Sequence, residues 1–187
     1  AIEVEPEKVT GGVRVGMSDP LYSLLKDVSL ELMRHSRLQD LLPDIVRRAQ
    51  EFVSADLAYL ALRDEYEDVM RVAFYRGTIR ELPADYVIRI GEGISGQAWA
   101  SGQIVVTDDY HRYSFRLPAP YWGDMQETLA VPLFVKNAVW GVLILAHTGP
   151  EKKYSAAELE GLEQLAAFAA IAIENAKIVD GSIEPGP

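Results

Sequence analysis

Thr128-Leu129-Ala130-Val131-Pro132-Leu133-Phe134-Val135-Lys136-Asn137-Ala138-Val139-Trp140-Gly141-Val142-Leu143-Ile144-Leu145-Ala146-His147 holds two apolar runs of strand length around a short polar break. Runs of this length, rich in valine and other β-formers, suit strands buried in a sheet. The break at Lys136-Asn137-Ala138 predicts an antiparallel hairpin of residues 128–135 and 139–147. Just downstream, Ser155 followed by Glu158 reads as a capping box. A helix should run from there to about Val179, since Leu159, Leu162, Leu165, Ala166, Ala169, Ile173 and Ala176 form one apolar stripe. The alanines of that stripe would let a neighbouring helix approach closely.

Upstream, the period changes twice. Leu21, Leu24, Leu25, Val28, Leu32 and Met33 recur at helical spacing, and a break follows near His35-Ser36. Leu38, Leu41, Leu42, Ile45, Val46 and Ala49 form a second helical stripe, with Pro43 expected in its first turn, where a missing N–H costs little. The spacing then becomes two. Ala58, Leu60 and Leu62 should share one face of a strand, and Leu57, Tyr59 and Ala61 the other. Further strands are predicted at 69–75, 86–90 and 104–107, with a short helix at 94–101. Residues 108–127 carry no convincing element, and loops of that length inside a domain are uncommon and usually functional.

Charge and composition narrow the function. The 187 residues carry a net charge of −10, which would be repelled by nucleic acid and by anionic lipid, so neither partner is expected. Arg47-Arg48 is best read as a solvated helix face. The chain has no cysteine, which removes disulfides, thiol catalysis and thiolate metal sites. The longest apolar run, 139–146, is interrupted by Gly141 and falls far short of the ~20 residues of a membrane helix. A cytoplasmic location is therefore expected. Residues 1–20 read as a tail or as the join to an upstream domain, 21–180 as one domain, and 181–187 as a C-terminal tail.

Periodicity alone gives an α+β plan, an antiparallel sheet with amphipathic helices toward both ends. Three local stretches go further. They are Gly91-Glu92-Gly93-Ile94-Ser95-Gly96-Gln97-Ala98-Trp99 with Ser101-Gly102-Gln103, then Leu129-Ala130-Val131-Pro132-Leu133, then Trp140-Gly141-Val142-Leu143-Ile144-Leu145 leading through Tyr154 and Glu158 into the last helix. In this order the chain resembles a GAF domain over residues 21–179. The resemblance implies a six-stranded antiparallel sheet. Terminal helices would pack on one face, and a lid of loops and short helices would enclose a ligand pocket on the other. It also implies a sensory or regulatory role in signal transduction, dimerisation through the terminal helices, and an attached or partner output domain.

The candidate site follows from that resemblance. Tyr59 should look into the pocket from its strand, and Trp99 should form a wall on the short helix. Tyr110, Tyr113, Phe115, Tyr121 and Trp122 lie in the segment the family uses as a lid, with Met125 and Thr128 at its downstream end. Aromatic walls with a few polar tips suit a flat or apolar small molecule. The competing reading is that these rings fill the pocket themselves and leave a dimerisation or scaffold module.

Other constellations reduce to structure. Gly91–Gly96 matches G-x-G-x-x-G, but the neighbouring strands read antiparallel, so the glycines are expected to make a tight turn. His35, His111 and His147 lack metal-site spacing. Haem-binding relatives place their axial histidine just before the 129–133 strand, where this chain has Tyr121-Trp122-Gly123-Asp124-Met125. Bilin attachment and free methionine sulfoxide reduction depend on cysteine in the relatives concerned. The cyclic-nucleotide signature Asn-Lys…Phe-x-x-x-Asp-Glu is altered, with Tyr154 for Phe and Glu158-Leu159 for Asp-Glu. No nucleophile–base pair stands out, and Asp108-Asp109 reads as a strand-ending turn. The expectation is a non-enzyme with no metal and no cofactor.

Overall fold

A computed structural model describes residues 38–77, 86–117, 124–149 and 152–179, together with Ser23. The elements are α1 (Leu38–Val53), β1 (Leu57–Arg63), β2 (Met70–Gly77), α2 (Gly93–Ser101), β3 (Val105–Thr107), a 3₁₀ turn (Tyr110–Arg112), β4 (Thr128–Val135), β5 (Ala138–Ala146) and α3 (Ala156–Val179). The helical stripe expected over 21–33 lies outside the described residues.

The strands form one antiparallel sheet in the order β2-β1-β5-β4-β3. The predicted hairpin is β4–β5. It turns on Lys136 and Asn137, with Lys136 at φ +55°, and Ala138 already pairs with Val135. The centre of the sheet is the non-local pair β1–β5, with Leu57 opposite Ala146.

Among the described residues the sheet has five strands, one fewer than the expected six. The segment expected as a strand at 86–90 contributes one reciprocal bridge, in which Met70 and Ile88 exchange N–H···O bonds of 2.8 Å. Beyond it the chain turns at once into α2, with the Glu92 amide donating to the Arg89 carbonyl at 3.1 Å. Pro43 is also displaced from its expected place. It lies in the second turn of α1, where its missing N–H removes an interior helix bond.

The alternation read from β1 holds. Ala58 and Leu60 join Leu129, Val131, Leu133, Leu143 and Leu145 on one face. Against them pack α1, through Leu42, Ile45, Val46 and Ala49, and α3, through Leu162, Leu165, Ala166 and Ala169. The small residues of α3 let it lie close to both β4 and α1. The opposite side of α1 is a charged face. Asp44 bonds Arg47 and Arg48, and Arg47 also donates to Glu51 at 2.7 Å. Helix α3 opens on the predicted capping box. The Glu158 carboxylate accepts from the Ser155 amide and hydroxyl, both at 2.7 Å, and the Glu158 amide donates to Ser155 Oγ at 3.3 Å. Among the described residues no helix is long and apolar enough to cross a membrane.

Candidate functional site

The second face of the sheet carries a separate core. β1 contributes Leu57, Tyr59 and Ala61, and β5 contributes Val142, Ile144 and Ala146. The cover is Ile94, Ala98 and Trp99 from α2, Tyr110 from the 3₁₀ turn, Met125, and Ile88 with Met70. Of the residues expected at the site, Tyr59, Trp99, Tyr110 and Met125 therefore meet in one cluster.

Helix α2 owes its position to the glycine turn. Gly91 and Gly93 adopt φ +81° and +62°, a region glycine enters without the steric cost of a Cβ. Gly96 lies so close to the preceding turn that a Cβ there would sit 2.3 Å from the Arg89 carbonyl oxygen. The Gly91 amide donates to the Gly96 carbonyl at 2.8 Å, and Gln97 Nε2 donates to the Gly91 carbonyl at 2.6 Å. The loop closes on itself, and its amides serve the turn.

That closure sets Ser95 against the sheet, where its hydroxyl and the Tyr59 hydroxyl share a buried 2.8 Å hydrogen bond. Burial pushes the Tyr59 phenol well above its ordinary value, so it stays neutral across physiological pH. Trp99, from the same helix, faces the Arg63 guanidinium at 5.8 Å, and Trp140 of β5 meets that guanidinium at 5.7 Å. Arg63 thus bridges α2 to the hairpin by two cation–π contacts.

The described parts of the segment expected as a lid are held to the rest of the domain. Asp109 caps the 3₁₀ turn by accepting from the His111 amide at 2.9 Å. The Tyr110 amide donates to the Gln126 carbonyl at 2.9 Å, and the Tyr110 hydroxyl accepts from the Leu117 amide at 3.3 Å. Tyr113 stacks on Tyr110 with ring centroids 6.1 Å apart and leans on Phe115 at 5.8 Å. Phe115 itself is 53% exposed, so this aromatic row runs from core to solvent. Burial raises the phenols of Tyr110 and Tyr113. Thr128 is fully buried, its hydroxyl donating to the Gln126 carbonyl at 3.3 Å. Tyr121 and Trp122 lie outside the described residues. On the outer side of Tyr113, an open depression of about 490 Å³ is lined by Thr107, Asp108, Asp109, Arg112 and Ser114. Among the described residues no group of three or more histidine, aspartate or glutamate side chains is placed to hold a metal ion.

Sequence reasoning missed a buried polar cluster of Glu127, His147 and Tyr154 where β4, β5 and α3 converge. The available signal was a glutamate directly abutting an apolar strand, facing a histidine at the end of the strand paired with it.

Comparison with known proteins sets this architecture in context. The family described as GAF domain matches residues 35–174. The circadian input-output histidine kinase CikA of Thermosynechococcus vestitus is 24% identical over 169 residues, 83% of this chain and 23% of its own length. The chain therefore spans about a quarter of that relative. The GAF domain of an Acinetobacter phosphoenolpyruvate-protein phosphotransferase superposes with a TM-score of 0.76 at 23% identity, covering 87% of this chain and 98% of that one. Free methionine-R-sulfoxide reductase from Neisseria meningitidis, solved with its substrate, superposes with a TM-score of 0.73 at 20% identity, covering 85% and 91%.

The last similarity corrects the expectation of a non-enzyme. An enzyme is built on this same fold, so the fold does not set this chain apart from catalysis. The five-stranded sheet, the helix-covered and loop-covered faces, and the match over residues 35–174 agree: this chain belongs to the GAF domain family.

Proposed function

We propose that the chain is a sensory or regulatory module of a signal-transduction protein that takes a small, flat or apolar molecule against the second face of its sheet. The observation that carries this reading is the cluster of Tyr59, Trp99, Tyr110 and Met125 beneath the lid segment, with a buried Tyr59–Ser95 hydroxyl pair as a polar handle. Tyr113, Phe115, Tyr121, Trp122 and Thr128 complete the proposed ligand-binding set. Occupancy would favour one arrangement of lid and helices, and the terminal helices would carry the change to an attached or partner output domain. The relative in a histidine kinase supports such an output. A tenfold bias between two arrangements needs only about 1.4 kcal/mol of differential affinity.

A second reading has its own observation. Tyr59, Trp99, Tyr110 and Met125 are each at most 7% exposed, as expected if the pocket is filled by its own side chains. The chain would then be a dimerisation or scaffold module. An apolar groove of about 460 Å³ beside α3, with Phe134 and Ile171 exposed at its walls, gives that reading a surface.

Native mass spectrometry of the gently purified chain separates the two. Extra mass released on denaturation supports the sensor, and a bare dimer supports the scaffold. Tyr59→Ala should weaken binding of any such ligand while the domain stays folded. Unfolding by that substitution alone would favour the self-filled core.

A further inference from the structure

Three side chains from three elements meet at the root of α3. Glu127 immediately precedes β4, His147 immediately follows β5, and Tyr154 stands just ahead of the Ser155 cap. The backbone binds them together. The His147 amide donates to the Glu127 carbonyl at 2.9 Å, and the Gln126 amide donates to the His147 carbonyl at 2.8 Å. The Tyr154 ring lies on the imidazole with centroids 5.0 Å apart. The Tyr154 amide donates to Glu127 Oε1 at 3.0 Å.

This site is unusually poor in partners for its burial. Glu127 is 4% exposed and His147 is 2% exposed. Glu127 Oε2, His147 Nδ1 and Tyr154 Oη are buried without a hydrogen-bond partner among the described residues. An ionised carboxylate has about four acceptor positions, and among the described residues this one receives a single amide. Its charged surroundings help little. Asp108, beyond β3, and Glu158, in the first turn of α3, oppose its charge, and Lys153 favours it while also lying 3.7 Å from Asp108. Lys152 is engaged with the Ser54 carbonyl. Asp56, at the start of β1, is 4.0 Å from His147 Nδ1, but its Oδ2 already accepts from the Thr148 amide and hydroxyl.

We propose that Glu127 is a proton-operated clasp at the root of α3: protonated, it stays tucked against His147 and Tyr154; ionised, it favours release of Tyr154 and the first turn of the helix toward water. The clasp also joins the two proposed working parts. Gln126, the preceding residue, accepts from the Tyr110 amide of the lid, so a single stretch of backbone touches lid, sheet and helix. The inference needs no ligand on the second face, and it stands or falls separately from one.

The electrostatics agree in sign. Burial is the largest influence on the Glu127 carboxyl and raises it above the ordinary glutamate value, against the Tyr154 amide, whose hydrogen bond favours the ionised form. The contribution of Glu127 to stability is therefore fully present below the unfolded value and is lost as pH rises through the folded one. Burial, with Lys152 nearby, lowers His147. Its contribution is present above the unfolded value and is lost as pH falls through the folded one. Both side chains favour their neutral forms in the folded protein.

Glu127→Gln mimics the protonated state and isolates Glu127, since the contribution of His147 is common to both proteins. The variant should melt a few degrees above the wild type at about pH 8, and the gap should close by about pH 4. At about pH 8, amides 155–159 should exchange several-fold more slowly in the variant. A variant that melts lower at about pH 8, or a gap that does not change with pH, overturns the clasp. Should the variant fail to fold, a carbon-13 NMR titration of wild-type Glu127 decides the matter. The proposal requires its carboxyl to titrate above the ordinary glutamate range, with the Tyr154 amide shifting in step. Titration within or below that range, or an indifferent Tyr154 amide, refutes it.

Discussion

On the helix-covered face, β1, β4 and β5 present Ala58, Leu60, Leu129, Val131, Leu143 and Leu145 to two long helices, and the interface is almost wholly aliphatic. On the loop-covered face the same strands present Tyr59, Ala61, Ala130, Val142 and Ile144 to one short helix, a 3₁₀ turn and the loop residues around them. There the cover depends on glycine turns, a buried hydroxyl pair and a guanidinium between two indoles. One backbone thus divides two tasks. The first face holds the fold through area and shape, which are non-directional. The second depends on directional contacts, hydrogen bonds and cation–π pairs, that need particular partners.

That division can be broken by substitution. The largest loss should come from the helix-covered face: Leu143→Ala removes a side chain that is 1% exposed and should cost about 2–5 kcal/mol in denaturant unfolding. Gly96→Ala comes next, at about 1–3 kcal/mol, because its methyl group meets the Arg89 carbonyl and α2 must shift. Its signature should be local, with faster amide exchange in α2 and little change in α3. The smallest effect belongs to Tyr59→Phe, which deletes the hydrogen bond to Ser95 and keeps the ring, for about 0.5–1.5 kcal/mol by thermal or chemical denaturation. If Tyr59→Phe were as damaging as Leu143→Ala, the second face would be a core like the first, and the contrast would fail.

Most of the framework was legible because it is periodic. Alternation in Leu57–Leu62, the two strand-length runs around Lys136-Asn137 and the Ser155–Glu158 capping box are local signals, and each matches its element. Tyr86–Ile90 has strand composition, but only Ile88 bridges to β2 before the chain turns into α2. The 3₁₀ turn at Tyr110 went unseen because it rests on one aspartate cap and on a bond to Gln126. At the candidate site, the aromatic residues could be named from sequence, but the Tyr59–Ser95 pairing and the Arg63 bridge join positions far apart in the chain. The same is true of Glu127, His147 and Tyr154, whose association exists only after β4, β5 and α3 have come together.

The strand order has a consequence in time as well as in space. β1–β2 and β4–β5 are hairpins of near neighbours, but the sheet becomes one object only when Leu57 finds Ala146. As the chain leaves the ribosome, its first hairpin has to wait for nearly the whole domain before its open edge is covered. Long-range closure of this kind slows folding. The interval between synthesis of β1 and arrival of β5 is therefore when this chain is most exposed to mispairing.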